Sequence, residues 1–295
     1  MGLVEIRRLS ECTIEEAVKA WNDGFEGYYF DATTTPDQFI KRMAIEELSP
    51  ELSIVAFKGN EPIGIVENGV RDLNGSKIGW NGGTGVAAKY RGTGVGKLLI
   101  EAALSVLKEA GVKLATLEAI SENHKAISLY EKMGYVQVDE LEHLSLKGPA
   151  PQPFHLTSGG NYTVERAPTV RAGKIPFYKA SNPWQTHWQN AKDSEAVIVR
   201  DLAGEPAGYA YFKKVFNAEG DHITTVLYQC EAAPGHPDAV NLLKVMAAHV
   251  FGDLQDDINR VVPNLPKGAS ALTGVMLKSL GFTPMVQQVY MTKEL

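Results

Sequence analysis

Two hydrophobic rhythms alternate along this chain, one with the period of a strand and one with that of a helix. Residues 4–8 alternate apolar and polar positions as a strand does. Ile14, Ala17, Val18 and Trp21 then fall at i, i+3, i+4 and i+7, one face of a helix, with Ser10 or Thr13 placed to cap it. A second helix is predicted over 36–48. The apolar stretches 52–58 and 63–71 flank Gly59-Asn60-Glu61-Pro62 and read as a hairpin. A strand containing Gly82-Gly83 follows over 77–87, and a strongly amphipathic helix over 96–109 closes near Gly111. A strand over 114–119, a helix over 125–133 ending at Gly134, and a closing strand region over 135–146 complete the first half.

The order then recurs more loosely. Residues 196–200 and 207–213 read as a hairpin, 222–232 as a long strand and 239–251 as a helix. A short strand over 258–262, a helix over 271–280 and a last strand over 286–292 follow. Between the halves, 148–160 reads GPAPQPFHLTSGG, whose prolines and glycines cannot sustain a helix or a central strand. Glu61-Pro62-Ile63-Gly64 is echoed by Glu205-Pro206-Ala207-Gly208, 144 positions later, and Gly134-Tyr135 by Gly281-Phe282, 147 positions later. Matches at nearly one offset suggest a duplicated domain. The expected division is a first domain over 1–147, a linker over 148–160 and a second domain over 161–295.

A length of 295 residues agrees with two domains. Composition, 44% hydrophobic and 22% charged, excludes a disordered or collagen-like chain. The net charge of −6 gives no electrostatic reason to bind nucleic acid or an anionic membrane. No run of about 18 apolar residues offers a membrane span. Cys12 and Cys230 cannot build a disulfide framework, so the expected location is the cytoplasm. The histidines, His124 among them, lack metal-ligand spacing, and no metal is expected.

The segment with chemistry in it is Val86 to Lys97, reading VAAKYRGTGVGK. A strand runs out, glycines alternate at 92, 94 and 96, and a helix begins. Such a loop turns several backbone N–H groups toward one anion, at the positive end of a helix. Arg91 and Lys97 add charge, so a phosphate or pyrophosphate is the implied ligand. A bare strand-to-helix turn would rarely need all three glycines. A dinucleotide fingerprint, G-x-G-x-x-G, needs its third glycine one residue later, although Glu118 stands near the place of a ribose-binding acid.

Arg91-Gly92-Thr93-Gly94-Val95-Gly96 resembles the R/Q-x-x-G-x-G/A loop of the GNAT (GCN5-related) N-acetyltransferases. Asn123 to Tyr135, reading NHKAISLYEKMGY, is similar to that family's N-x-x-A-x-x-L-Y-x-x-x-G-F/Y segment. Together the motifs cover about 50 residues, and the element order of the first half agrees. The resemblance implies an α/β (α+β) protein of two acyl-CoA N-acyltransferase domains in tandem, each a mixed twisted sheet flanked by helices. It implies acetyl-CoA as co-substrate and acetyl transfer to a primary amine of a small molecule. A homodimer is left open. By that resemblance Gly92, Thr93, Gly94, Val95, Gly96 and Lys97 would hold the pyrophosphate. Thr84, Gly85 and Val86 would lie along the pantetheine arm, with one amide toward the thioester carbonyl. Gly82-Gly83 would form the bulge that splays the strand. Asn123 would face the pantetheine or acyl end, and Tyr130 would be the general acid for the leaving thiolate.

Many family members place a general base, a glutamate, where this chain has Trp80, with Asn81 beside it. Glu67 on the neighbouring strand is therefore the expected base, with Asp72 a weaker choice. Phe25, Tyr28 and Tyr29, among other aromatics and acids after the first helix, would line the acceptor pocket with Trp80 and Asn81.

The second half lacks the motif. Aligning Gly281 with Gly134 puts Leu277 at the Tyr130 position and Ser270 at the Asn123 position, and Pro234 to Asp238 carries neither an arginine nor alternating glycines. A degenerate domain without a CoA site is expected there. The alternative for the whole chain is a non-catalytic acyl-CoA-binding or interaction protein.

Overall fold

The computed structural model describes residues 3–73, 75–154, 162–191 and 193–295. Among them the chain forms two compact units. Unit 1 runs to Val138 and takes in Val289–Leu295, while unit 2 is Asp139–Gln288.

In unit 1, β1 (Val4–Arg8), β2 (Ile54–Lys58), β3 (Glu61–Leu73) and β4 (Ser76–Val86) pair antiparallel in sequence, and β5 (Leu114–Ile120) joins β4 in parallel. The end of β12 (Thr283–Glu294) lies on the other side of β5. α1 (Ile14–Gly24) begins at a capping box in which the Thr13 hydroxyl accepts from the Glu16 amide, and α2 (Pro36–Glu46) at another built on Thr35 and Gln38. These helices cover one face, where Ala17, Trp21 and Phe39 meet Val55, Phe57 and Ile65. α3 (Val95–Glu109) and α4 (His124–Lys132) cover the other, where Leu99, Ala103 and Leu107 pack on Ile54, Ala56, Ala115 and Leu117. Strand alternation divides the two cores.

In unit 2 the strand order is β6 (Val136–Lys147), β11 (Asn259–Pro266), β10 (His222–Ala232), β9 (Pro206–Phe216), β8 (Glu195–Arg200) and β7 (Thr163–Pro168). α6 (Ala239–Phe251) and α7 (Ala271–Ser279) pack on one face, while the short α5 (Thr169–Ala172) and two single-turn helices cover the other. The β9–β10 hairpin repeats the β3–β4 hairpin in register. Gly208 faces Ala232 as Gly64 faces Val86, and each hairpin carries an extra residue on its second strand, Tyr228 and Gly82.

The boundary expected between 147 and 161 lies elsewhere. The strand after α4 was expected to close the first sheet, but from Asp139 onward it belongs to unit 2, where Leu141, Glu142 and Leu144 pair with β11. Val289 and Met291 from the end of β12 enter the unit 1 core instead. Each half thus receives its last strand from the other half of the sequence. The start of the expected linker is tied down in unit 2 by Gly148, Ala150 and Phe154, whose amides donate to Ile258, Leu254 and Asp253. Residues 155–160 lie outside the described residues.

Candidate active site

β4 divides the site of unit 1 into its parts. It runs parallel to β5 only over the pairs from Ile78↔Leu114 to Asn81↔Leu117, yet stays paired to β3 as far as Val86. Past Asn81 the strands fork, and the β5-facing edge of residues 82–86 is left without a strand partner. The bulge sits where Gly82-Gly83 was expected to put it: Glu67 faces Gly83, Asn68 faces Asn81, and Gly82 is the extra residue. A Cβ on Gly82 would come within 2.7 Å of the Trp80 ring, and one on Gly83 within 2.8 Å of Trp21. Gly85 lets the backbone of Gly24 approach to 3.0 Å of its own Cβ direction, which brings the end of α1 against the fork.

The loop that follows holds Gly92 and Gly94 at φ +78° and +96°, with open space over both. Only glycine adopts these angles freely. Gly94 is the N-cap of α3 and supplies no side chain to its amides. The first helical amide with a backbone partner is Leu98, which donates to the Gly94 carbonyl. Among the described residues the amides of Val95, Gly96 and Lys97 are unpaired, at the positive end of a 15-residue helix. The cradle fits an anion such as a pyrophosphate. The Arg91 guanidinium donates to the Val86, Gly24 and Glu26 carbonyls at 2.9, 3.1 and 2.7 Å, fastening the cradle to the end of α1 through Nε and Nη2. Lys97 lies 3.6 Å from Glu101.

On the α3–α4 face of the fork, Tyr130 is buried, with the Thr84 hydroxyl beside its phenol. Burial pushes its phenol up, and Thr84 nearby opposes that shift. Thr84 bonds the Asn81 side chain, whose Oδ1 in turn accepts from the Gly83 amide at 3.1 Å. Asn123 caps α4, its Oδ1 accepting from the Ala126 amide, and its side chain lies near the Tyr28 phenol. Burial raises Tyr28 to about 12, with Tyr130 adding to the shift. Phe25 lies on Trp21 with ring centroids 4.2 Å apart, Tyr28 meets Phe25 edge-on, and Tyr29 is exposed. The aromatic loop after α1 therefore reaches Asn123 and Tyr130 through Tyr28.

The α1–α2 face is acidic. Glu67, on β3, has no exposed surface. Its Oε2 is paired with the Arg42 guanidinium, which also donates to the Gly82 carbonyl at 2.7 Å and lies over the Trp21 ring. Burial still wins over the ion pair, and the Glu67 carboxyl is pushed up to about 7. Trp80 is buried and donates its indole N–H to Glu118 Oε2 at 2.7 Å. Glu118 retains some exposed surface as a residue, but its Oε1 is enclosed and without a partner, as is Glu67 Oε1. Burial raises Glu118 to about 7, and Glu46 pushes the same way. Asp72, the weaker expectation for the base, instead closes a turn by accepting from the Gly75 amide.

Sequence reasoning gave no part to Arg42 or Glu46, and weighed Glu118 only as a ribose-binding acid. The available signal was a lone charge in the otherwise apolar strand 114–120. Among the described residues no group of three or more His, Cys, Asp or Glu could hold a metal, and no helix is long and apolar enough to cross a membrane.

Residues 14–135 match the model of the acetyltransferase (GNAT) family. The chain is 30% identical over 101 residues to N-alpha-acetyltransferase MAK3 of Arabidopsis thaliana, covering 34% of this chain and 53% of that protein. It is 31% identical over 100 residues to N-alpha-acetyltransferase 30 of Schizosaccharomyces pombe, covering 34% of this chain and 67% of that protein. It thus spans about half the length of the first relative and two thirds of the second. Among solved structures, a GCN5-related N-acetyltransferase from Sphaerobacter thermophilus superposes with a TM-score of 0.65 at 13% identity, over 99% of this chain and 95% of that one. A tandem GNAT protein from the clavulanic acid biosynthesis pathway gives 0.62 at 14% identity, over 99% and 98%. At such identities the likeness speaks for the fold, two domains of this type in tandem.

Proposed function

This chain belongs to the acetyltransferase (GNAT) family, and from that premise we propose that unit 1 transfers an acetyl group from acetyl-CoA to a primary amine. The observation that carries the reading is one continuous track: unpaired amides at Val95–Lys97, an unpartnered β4 edge over 82–86, and a buried tyrosine where that edge meets β5. The backbone from Gly92 to Lys97 binds the pyrophosphate. Thr84, Gly85 and Val86 supply main-chain hydrogen bonds to the pantetheine arm, and an amide of this stretch stabilises charge developing on the thioester oxygen. Tyr130 gives its phenolic proton to the sulfur as the carbon–sulfur bond breaks, with the Thr84 hydroxyl beside it.

The acceptor meets the aromatic loop and the acidic face. Trp21 and Trp80 beside Glu46, Glu67 and Glu118 suit a cationic amine with an apolar body. A small-molecule amine fits this description. The two relatives are named N-alpha-acetyltransferases, which adds the α-amine of a peptide as an acceptor class. Unit 2 is a scaffold without a CoA site. A screen of small amines and free-amine peptides with acetyl-CoA, following thiol release, tests the reading. Tight CoA binding with no amine acetylated would favour a non-catalytic acyl-CoA-binding protein.

A further inference from the structure

We infer that the groove between α1 and α2 of unit 1 is a docking surface for a basic amphipathic helix of another protein. The groove has a volume of about 430 Å³. Ile14 and Ala17 of α1 line one side of it, and Ile40, Met43 and Ala44 of α2 the other. It is separate from the fork. α1 meets the fork at its last residue, Gly24, whereas the groove takes its first turn, roughly 15 Å away along a helix of this rise. α2 is poorly covered for its length. Of its eleven residues only Phe39 is buried, while Ile40 is 55% exposed and Ala44 is exposed beside it. A helix this short draws its stability from burying an apolar face. Phe39, Ile40, Met43 and Ala44 form such a face, and its outer half has no element of unit 1 over it.

Charge identifies the cover. Residues 9–17 and 36–51, which carry the groove, hold seven acids against two bases, a net charge of −5 within a chain of net charge −6. Of the two bases, Arg42 is turned to Glu46 and Glu67, which leaves Lys41. Glu15, Asp37 and Glu51 are exposed, and among the described residues none of them takes part in an ion pair. An apolar floor in acidic surroundings matches a helix with leucine-like anchors at i, i+3, i+4 and i+7 and with lysine or arginine beside them. An extended peptide finds no sheet edge there, because both walls are helices whose backbone groups bond one another. A second copy in a two-fold contact would set the same acidic surface against itself. Nucleic acid and anionic lipid are repelled by it.

Docking here bears on the site through α2. Met43 lines the groove, while its neighbour Arg42 pairs with Glu67 and donates to the Gly82 carbonyl at the fork. A helix seated over Ile40 and Ala44 fixes the element from which Arg42 reaches the sheet.

Fluorescence anisotropy on the full chain tests the docking with a labelled peptide of about 18 leucine and lysine residues, its leucines on one helical face. The peptide should bind at least about tenfold more tightly than a scrambled peptide of the same composition, and than a version with glutamate for lysine. Ile40→Glu adds an acid but spoils the apolar floor, and should weaken the leucine–lysine peptide by at least about tenfold. Glu15→Lys combined with Glu51→Lys should weaken it as well, at unchanged melting temperature. Equal binding of the scrambled peptide, or wild-type affinity in the Ile40 variant, overturns the inference. The wild-type chain gives a reading that needs no variant to fold. Cys12 lines the groove and Cys230 is sealed in the core, so saturating peptide should slow the labelling of Cys12 by N-ethylmaleimide at least about fivefold. Unchanged labelling would place the peptide elsewhere and overturn the inference. Sedimentation should show a monomer. A wild-type dimer that Ile40→Glu dissociates would give the groove to a second copy instead.

Discussion

The two units carry the same fork and treat it in opposite ways. In unit 2, β10 is parallel to β11 only from Thr224↔Asn259 to Val226↔Val261, and the strands then part, as β4 and β5 do. By hairpin register, Tyr211 stands where Glu67 stands, Gln229 at Gly83, Cys230 at Thr84 and Glu231 at Gly85. Here the side chains around the opening bond one another or nearby backbone. Thr273 of α7 donates to the Cys230 carbonyl and Ser270 to Glu231, while Tyr209 donates to Gln229, and the Tyr211 hydroxyl reaches the Thr186 carbonyl. Leu277, fully buried, takes the Tyr130 position. At the start of α6 there is no empty cradle: Asp238 sits there with its carboxylate held by Tyr162 and Asn241, a negative charge where an anion would have to lie. Unit 1 leaves Glu67 Oε1, Glu118 Oε1 and three helix amides without partners. One topology can therefore serve as packing or as a site, and the difference lies in which buried polar groups are left waiting.

The largest effect that could break this comparison is a change in CoA stoichiometry. Calorimetric titration should give about one CoA per chain. Gly94→Trp should reduce binding below detection, because it forces a side chain into φ +96° and fills the open space over the cradle. Gly235→Trp, at φ +71° in the corresponding loop of unit 2, should leave CoA binding intact. Two equivalent sites would end the contrast between the units.

Next in size is the phenol of Tyr130. Tyr130→Phe should cut acetyl transfer by roughly 10²-fold, the low end of general acid–base contributions, with CoA affinity nearly unchanged. Residual turnover should remain, since holding amine and thioester together contributes separately. Tyr209→Phe in unit 2 should instead destabilise by about 1–2 kcal/mol, by leaving the buried Gln229 short of a donor, and should not touch turnover. Full turnover by the Tyr130 variant would reduce that residue to packing.

The pattern of this contrast was legible in part. The cradle could be read because it is contiguous: glycines at fixed spacing, a strand before and a helix after. Tyr130 was legible through its spacing from Asn123 and Gly134. The strands were legible from alternation, and β1, β10 and α6 fall at their expected limits. What could not be read is what depends on contacts distant in sequence. The exchange of terminal strands is invisible because β6 and β12 have the same alternation whichever sheet receives them. Glu118 and Trp80 are 38 positions apart, and Arg42 and Glu67 are 25 apart, so neither pair leaves a local trace. That Glu67, expected as the base, lies sealed in an ion pair with Arg42 was hidden for the same reason.

A smaller effect separates the acids by their response to pH. Glu118 has an ordinary value near 4.5 when unfolded and about 7 when folded. Its raised value means that the folded state binds the proton more tightly, so stability is greatest below about 4.5, falls as pH climbs toward 7 and levels off above it. Glu118→Gln removes that loss. The variant should gain stability over wild type, of order 1–3 kcal/mol at pH 8 and much less at pH 5. Thermal melts at the two pH values check this. A variant less stable than wild type at pH 8 would mean that the charged carboxylate is welcome where it lies.

The finest comparison sets one threonine hydroxyl against another. Thr84 in unit 1 bonds Asn81 and lies beside Tyr130 at an open edge, and Thr273 in unit 2 donates to the Cys230 carbonyl inside a closed one. Valine matches threonine in shape but removes the hydroxyl. Thr84→Val removes the hydroxyl that lies beside the Tyr130 phenol, holds Asn81 and opposes the upward pull of burial on that phenol. A hydrogen bond of about 1 kcal/mol corresponds to a rate loss of about five- to tenfold, with little change in melting temperature because Tyr130 stays packed against Tyr135. Thr273→Val strands a buried carbonyl, which costs about 1–3 kcal/mol and should lower the melting temperature while turnover and CoA affinity stay at wild-type values. If Thr84→Val only destabilised, the open edge of unit 1 would be packing like its counterpart. If Thr273→Val slowed turnover instead, the closed cleft of unit 2 would be part of the catalytic machinery after all.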